Sequence, residues 1–248
     1  MNAPVRPPGT DVRPVDVWWA RPADVPESLV DLLDPIERAR HDATPDPANR
    51  QRFLAGCALT RVVLGDLLGV GPAAVPLRRV CPRCSGPHGK VTADTGTDLR
   101  FNISHSGDVV GLAVCRGADV GLDVEDARTV TDVEAVAPRT LGATELAALR
   151  ARPPAERPAA FLRYWTRKEA VLKALGVGLR VPPRRLQVTD PALAPAVLAL
   201  PEKIGVRREV RMADTLAGGT HPASVAVTGT TEVSLVQHPA PGALRARR

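Results

Sequence analysis

Apolar residues recur along the chain with two different periods, and the places where the period changes mark out the elements. Val15-Asp16-Val17-Trp18-Trp19 starts a short strand after Met1–Pro14, a stretch rich in proline and polar residues that is expected to be loose. From Pro26 to Ala43 the spacing predicts a helix with Leu29, Leu32, Leu33 and Ile36 inward and Glu37, Arg38 and Arg40 outward, until Thr44-Pro45-Asp46-Pro47 breaks it. Arg50 to Leu68 reads as a longer helix with Phe53, Leu54, Cys57, Leu64 and Leu68 on its core stripe, ended by Gly69 and Gly71. Arg52 and Arg61 leave it on other faces, where an arginine ordinarily only solubilises. Phe101–Gly107 leads into Val109–Cys115, a near-continuous apolar run that reads as a buried strand. After a turn at Arg116–Asp119 comes a second strand, Val120–Asp126, with acids at its end. Helices are expected over Thr140–Arg150 and Phe161–Leu175, separated by a proline-rich break, and strands at Leu186–Val188, Arg208–Val210 and Ala223–Thr228. From Gln237 onward the chain turns Pro/Gly-rich and then Arg-rich, which predicts a disordered tail. The outcome is an α/β chain of two halves, 15–118 and 119–230, meeting at the turn near Arg116–Asp119.

One helix stands out. Placed at about 100° per residue, Phe161, Trp165, Leu172 and Leu175 share a face, with Arg163, Arg167 and Ala170 opposite. Lys168 projects into the middle of that apolar arc, and Glu169 and Lys173 lie along its flank. A lysine snorkelling past Trp165 and a Glu169/Lys173 pair at i,i+4 form one account; a charged site at a packed seam is the other. Asp123 and Glu125 bear on the choice. On a strand, residues i and i+2 share a face, so these two carboxylates point the same way and repel unless a cation lies between them. A polar strand end at the surface is the plain alternative. Joined by Glu169, the pair makes a hard-oxygen set suited to Mg²⁺, which leaves room for phosphate oxygens, and the adjacent lysines favour a phosphate ligand.

Composition narrows the partners. With 44% hydrophobic residues but only 3% aromatics, the core must be built from Ala, Val and Leu, while 25 Pro and 20 Gly interrupt the segments. Thirty-three Lys and Arg against 27 Asp and Glu give a formal charge of +6, which favours a polyanionic ligand or an acidic partner protein. Aromatics are too scarce, and arginines too dispersed, for a base-stacking platform, so no nucleic-acid partner is expected. No stretch approaches roughly 18 consecutive apolar residues and no signal-like start is present, so no membrane partner and a cytoplasmic location are expected. Four cysteines make no disulfide framework. Cys57 and Cys115 sit in apolar runs; Cys81, Cys84 and His88 offer three zinc-type ligands without a fourth, and a reduced loop is the competing account.

Gly121-Leu122-Asp123-Val124-Glu125 followed by Trp165-Thr166-Arg167-Lys168-Glu169-Ala170-Val171-Leu172-Lys173 resembles the paired signature of the 4′-phosphopantetheinyl transferases of the larger Sfp (surfactin synthetase activator) type. Phe101-Asn102-Ile103-Ser104-His105-Ser106 and Gly89-Lys90 stand upstream in the matching order, and the likeness spans roughly Val15 to Val227. The resemblance implies two similar subdomains about a pseudo-twofold axis, with coenzyme A in the cleft between them. It further implies transfer of the phosphopantetheine arm to a serine of an acyl or peptidyl carrier protein. Asp123, Glu125 and Glu169 correspond to magnesium ligands, Lys173 to the pyrophosphate lysine, and Lys168 to a phosphate contact in the same motif. Ser104 and His105 correspond to the pair on the nucleotide's 3′-phosphate, Lys90 to a lysine at the adenylate end, and Arg52 and Arg40 to nucleotide-contacting arginines. Glu169 is the expected base towards the serine hydroxyl, directly or through a water on the metal, and with Lys173 forms the catalytic pair. Val91 replaces a usual proline, and Thr44–Pro47 intrudes between Arg40 and Arg52. Residues Thr129–Pro158 are expected to face the carrier, and two halves sharing one site make a monomer the simpler state. A noncatalytic basic module holding zinc and binding nucleic acid, and a phosphatase-like enzyme, are the alternatives.

Overall fold

The computed structural model describes residues 12–80, 84–87, 89–94, 96–128, 132–201, 209–230 and 232–244. In chain order its elements are β1 (Val12–Ala20), α1 (Pro35–Asp42), α2 (Pro47–Leu68), β2 (Leu77–Arg78), β3 (Thr92–Ala93), β4 (Leu99–Ser106), β5 (Val109–Arg116), β6 (Val120–Val124), α3 (Val133–Thr140), α4 (Ala143–Arg150), α5 (Arg157–Ala174), β7 (Gln187–Val188), β8 (Val197–Ala199), β9 (Val210–Ala217), β10 (His221–Thr228) and β11 (Glu232–Pro239). Two sheets carry the fold, ordered β11-β1-β5-β4 and β6-β10-β9. All neighbours in them are antiparallel except β11, which lies parallel to β1.

The apolar pattern of β5 explains the layering. Val110, Leu112 and Val114 face α2, where they meet Leu54, Ala58, Leu59 and Val62. The residues between them, Ala113 and Cys115, join Val15 and Val17 of β1 against Val120, Leu122, Val225 and Val227 of the other sheet. Both faces of β5 are therefore buried, which is why its sequence is apolar throughout rather than alternating. On the outer face of the second sheet, α5 packs Val171, Leu172 and Ala174 against Met212 and Ala226. Each sheet thus carries one long helix on its outside, and the turn at Gly117 (φ 70°) passes the chain from the first sheet to the second. The molecule is a mixed α/β fold with its two main sheets packed face to face between the two long helices.

The sheets also meet edge to edge. Every second residue of β4 is polar, and these side chains take the outward amides of β6: Leu122 N–H donates to Asn102 Oδ1 (2.9 Å), Val124 N–H to Ser104 Oγ (3.3 Å) and Asp126 N–H to Ser106 Oγ (3.1 Å). The alternate amide, Glu125 N–H, goes to Pro222 O at 3.0 Å on the β10 side. A strand edge that would otherwise carry unpaired buried amides is satisfied by side chains.

Several expectations are corrected. The predicted helix from Pro26 to Ala43 is a 3₁₀ turn at Glu27–Leu32 followed by α1, which starts where Asp34 and Glu37 form a capping box ahead of Pro35. Two residues exchange sides, with Ile36 46% exposed and Glu37 only 4%, while Leu29, Leu32 and Leu33 pack on the core and Arg38 and Arg40 point outward as expected. Glu37 and Asp34 are drawn in by Arg61 (2.7 and 2.8 Å) and Arg79, so Arg61 is a buried counter-charge rather than a solubilising residue. Arg167, placed on the outer side by periodicity, is buried with Asp214 and the carbonyls of Thr189, Asp190 and Leu193. The helix expected over Thr140–Arg150 is α4, which starts three residues later because the Gly142 N–H caps it on Glu145 Oε2 (2.8 Å); α3, which ends at Thr140, was not expected. Of the tail expected to be disordered from Gln237, the part to Leu244 instead completes β11 and forms a 3₁₀ turn whose Leu244 is 1% exposed in the α2 core, and residues 245–248 lie outside the described residues. β1 likewise starts at Val12, inside the stretch expected to be loose. Cys81 and His88 of the proposed zinc group lie outside the described residues; Cys84 is exposed.

Candidate active site

Helix α5 aims one stripe, Trp165, Glu169 and Lys173 at i, i+4 and i+8, at the acidic end of β6. Its approach is set by Gly121, where a Cβ would lie 2.0 Å from Ala170 O and 2.5 Å from Ala174 N, so only glycine admits the helix backbone this close. Trp165 Nε1 donates to Glu125 Oε1 (2.9 Å), and Ser106 Oγ donates to Glu125 Oε2 (2.8 Å). Lys173 donates to Asp123 Oδ1 (2.6 Å), Leu122 O (3.0 Å) and Ser104 Oγ (3.2 Å), using all three of its donors inside the protein. Ser104 Oγ in turn donates to Asp123 Oδ1 at 3.2 Å.

Asp123, Glu125, Glu169 and Lys173 therefore gather at one place, three carboxylates against one ammonium. The electrostatics register the excess. Burial pushes Asp123 up to about 7, and Glu125 and Glu169 add to that rise while Lys173 opposes it. Burial likewise raises Glu169, with Lys173 lowering and Glu125 raising it further. Two oxygens here, Asp123 Oδ2 and Glu169 Oε1, are buried and hydrogen-bonded to nothing. Native proteins rarely leave such atoms orphaned unless an ion or ligand satisfies them. A divalent cation fits this donor set, with hard carboxylate oxygens and a net negative charge to balance.

A rival group exists among the described residues: ligating atoms of Asp108, Asp126 and His221 all lie within 4.8 Å of one another, a criterion the three acids beside α5 do not meet. That group is already neutralised. Arg128 engages both oxygens of Asp126 (2.9 to 3.0 Å from Nε, 2.8 Å from Nη2), and Arg21, Arg128 and His221 surround Asp108. A metal there would have to displace guanidinium groups, whereas the orphaned oxygens of Asp123 and Glu169 have no cation to lose.

Other expected site residues fall elsewhere. Arg40, Arg52 and His105 line one pocket of about 190 Å³ together with Phe53 and Arg79. Arg40 lies over the Phe53 ring, 5.1 Å from its centroid, and Arg52 donates to Gly107 O (3.0 Å) and to Asn49. Though His105 is exposed at the pocket rim, desolvation by the atoms around it and the charges of Arg52, Lys173 and Arg40 hold it below the usual imidazole range. Lys90 donates to Lys173 O at the end of α5 (3.1 Å) and lines a neighbouring pocket of about 420 Å³ with Arg78 and Arg100; Val91 borders both pockets. Ser104 and His105, expected to act as a pair, point to opposite faces of β4, as strand geometry requires. Lys168 is a correction: fully buried, its ammonium donates to Glu145 Oε2 (2.6 Å), Leu186 O (2.6 Å) and Pro183 O (3.1 Å), tying α5 to α4 and β7, with nothing left for a phosphate. Sequence reasoning passed over Trp165 as core and gave Asn102, Ser106, Gly121 and Arg79 no role. The polar alternation Asn102, Ser104, Ser106 was the available signal for two of them.

Known proteins match this sequence. Residues 119–225 match the family model described as the 4′-phosphopantetheinyl transferase superfamily. The 4′-phosphopantetheinyl transferase HetI of Nostoc sp. is 35% identical over 215 residues, covering 85% of this chain and 86% of the relative. The 4′-phosphopantetheinyl transferase AcpT of Salmonella typhi is 36% identical over 132 residues, 53% of this chain and 62% of that protein. Among solved structures, the holo-[acyl-carrier-protein] synthase of Thermotoga maritima superposes only loosely, with a TM-score of 0.37 and 23% identity over 45% of this chain and 63% of that one. With a relative this similar across nearly its whole length, the chain belongs to the 4′-phosphopantetheinyl transferase superfamily.

Proposed function

We propose that the chain moves the 4′-phosphopantetheine arm of coenzyme A onto a serine hydroxyl of an acyl or peptidyl carrier protein, in the manner of the Sfp type, and releases adenosine 3′,5′-bisphosphate. Phosphopantetheinyl transfer is the family's activity; the carrier, the metal and the residue roles are our reading. The observation that carries it is the pair of orphaned buried oxygens, Asp123 Oδ2 and Glu169 Oε1, beside Glu125 and Lys173. Asp123, Glu125 and Glu169 would hold Mg²⁺, which when bound supplies positive charge to the pyrophosphate oxygens.

Glu169 receives the proton of the incoming serine hydroxyl, directly or through one water. Lys173, whose three donors are engaged within the protein, holds Asp123 in place and acts on the reacting phosphates through its charge rather than by a direct hydrogen bond. Arg40, Arg52 and His105, one wall of a basic pocket, take the nucleotide end, with Lys90 on the neighbouring pocket. Every one of these residues lies on one chain, which supports a monomer as the simpler working unit. No helix among the described residues is long and apolar enough to cross a membrane. Of the segment expected to face the carrier, Ala137, Leu141 and Leu149 are buried inward and Val136 is 40% exposed, so docking falls to the outer face of α3.

The test is intact-mass analysis of an apo carrier incubated with the protein, coenzyme A and Mg²⁺. A gain of one phosphopantetheine arm supports the reading. No gain across a panel of acyl and peptidyl carriers refutes it.

A further inference from the structure

We propose that Asn102, Ser104 and Ser106 form a side-chain ladder that fixes the acid-bearing strand β6 against the strand carrying His105, and that Ser104 is a positioning residue for Asp123 and Lys173 rather than a contact of the nucleotide's phosphate. The inference rests on the functional reading above for its consequence in transfer, and on geometry alone for the ladder itself. A hydroxyl offers one donor and two acceptor sites. Ser104, 5% exposed, fills all three: it donates to Asp123 Oδ1 and accepts from Val124 N–H and from Lys173 Nζ. No capacity is left for a phosphate oxygen.

Ser106 repeats the device one rung on, accepting from Asp126 N–H while donating to Glu125 Oε2. Asn102 Oδ1 supplies the third rung at Leu122 N–H. Both strands advance by two residues per rung, so β4 and β6 run side by side in parallel with side chains in place of a backbone ladder. The same hydroxyls thus satisfy the amides of the edge and orient two of the three acids. His105 projects from the other face of β4 into the basic pocket, so the ladder also sets the separation between that pocket and the acids.

Three readouts on the full-length protein test this. Amide hydrogen exchange in the metal-free, ligand-free chain should quicken at Val124 in Ser104→Ala and at Asp126 in Ser106→Ala, by about tenfold or more in each, as expected when a buried amide loses its acceptor. Calorimetric binding of coenzyme A and of 3′-dephospho-coenzyme A should show the same affinity ratio in Ser104→Ala as in the wild type. Transfer should fall through kcat by a similar factor with both co-substrates. Unchanged exchange at both amides overturns the ladder, and a Ser104→Ala variant that loses its preference for the 3′-phosphate overturns the positioning role. If Ser104→Ala does not fold, Ser106→Ala decides the ladder alone, since it leaves the Asp123–Lys173 contact in place. A wild type that binds neither co-substrate would sink the functional reading while leaving the exchange result to judge the ladder.

Discussion

Glu169 and Lys168 are neighbours in sequence with opposite fates. Glu169 keeps a buried oxygen without a partner, and Lys168 has every donor filled by Glu145, Leu186 and Pro183. Glu169→Gln keeps the shape but loses both charge and proton affinity, so transfer should fall by about 10²-fold or more while coenzyme A binding stays measurable by calorimetry. Lys168→Ala should instead leave Glu145 buried without its counter-charge and cost about 3–5 kcal/mol in urea unfolding, with coenzyme A affinity little changed. Asp123 gives the pH dependence. Its pKa in the folded, metal-free chain is raised to about 7 from an ordinary 3.8, so the stability it contributes is full below the ordinary value and is lost as pH rises through about 7. Metal-free protein should therefore melt lower at pH 8 than at pH 6, and Mg²⁺ should raise the melting temperature more at pH 8. In Asp123→Asn the difference in the Mg²⁺ effect should shrink. At this scale the acids were legible from i, i+2 spacing and the signature, whereas the fate of Lys168 was not. Its partner lies 23 residues upstream, on a helix that only the tertiary fold brings alongside.

Between elements, what matters is how closely α5 can lie on β6. Gly121 is the contact point, and any side chain there meets the backbone of Ala170 and Ala174. Gly121→Val should push α5 outward, carry Glu169 and Lys173 away from Asp123, and lower transfer by at least about tenfold. The loss should appear alongside a fall in Mg²⁺ affinity measured by calorimetry, since a shift of about 1 Å is enough to spoil such a site. The end of α2 was legible in the sequence, since it stops at Gly69 in the left-handed region, whereas its start at Pro47 behind the Asp46 cap lies three residues ahead of the expected Arg50. The side that Glu37 takes on α1 was not legible. Hydrophobic periodicity turned Ile36 inward, but Arg61 and Arg79, 24 and 42 residues away, supply counter-charges that make Glu37 the buried residue. Short-range pattern carries no information about charges brought in by other elements.

Over the whole molecule, the chain crosses from the first sheet to the second after β5 and returns with β11 to lie beside β1. That return was missed because β11 alternates between exposed and half-buried residues and includes Ser234, Gln237 and His238, so it lacks the apolar density of a core strand. Val233 and Leu235 nonetheless pack on the layer between the sheets, and Leu244 reaches the α2 core. Truncation after Thr230 should remove these contacts, lower unfolding stability by about 4 kcal/mol or more, and expose the edge of β1 to aggregation, visible by light scattering. The crossing near Gly117 was legible, because turn residues and a change of apolar pattern coincide there, whereas the return of β11 to the first sheet was not.

Everything proposed about chemistry turns on a cation lying among Asp123, Glu125 and Glu169. The most direct measurement is anomalous diffraction from crystals of the protein grown with Mn²⁺ and coenzyme A. The account predicts one strong peak between Asp123 Oδ2 and Glu169 Oε1. A peak at Asp108, Asp126 and His221 with none beside α5 would contradict it.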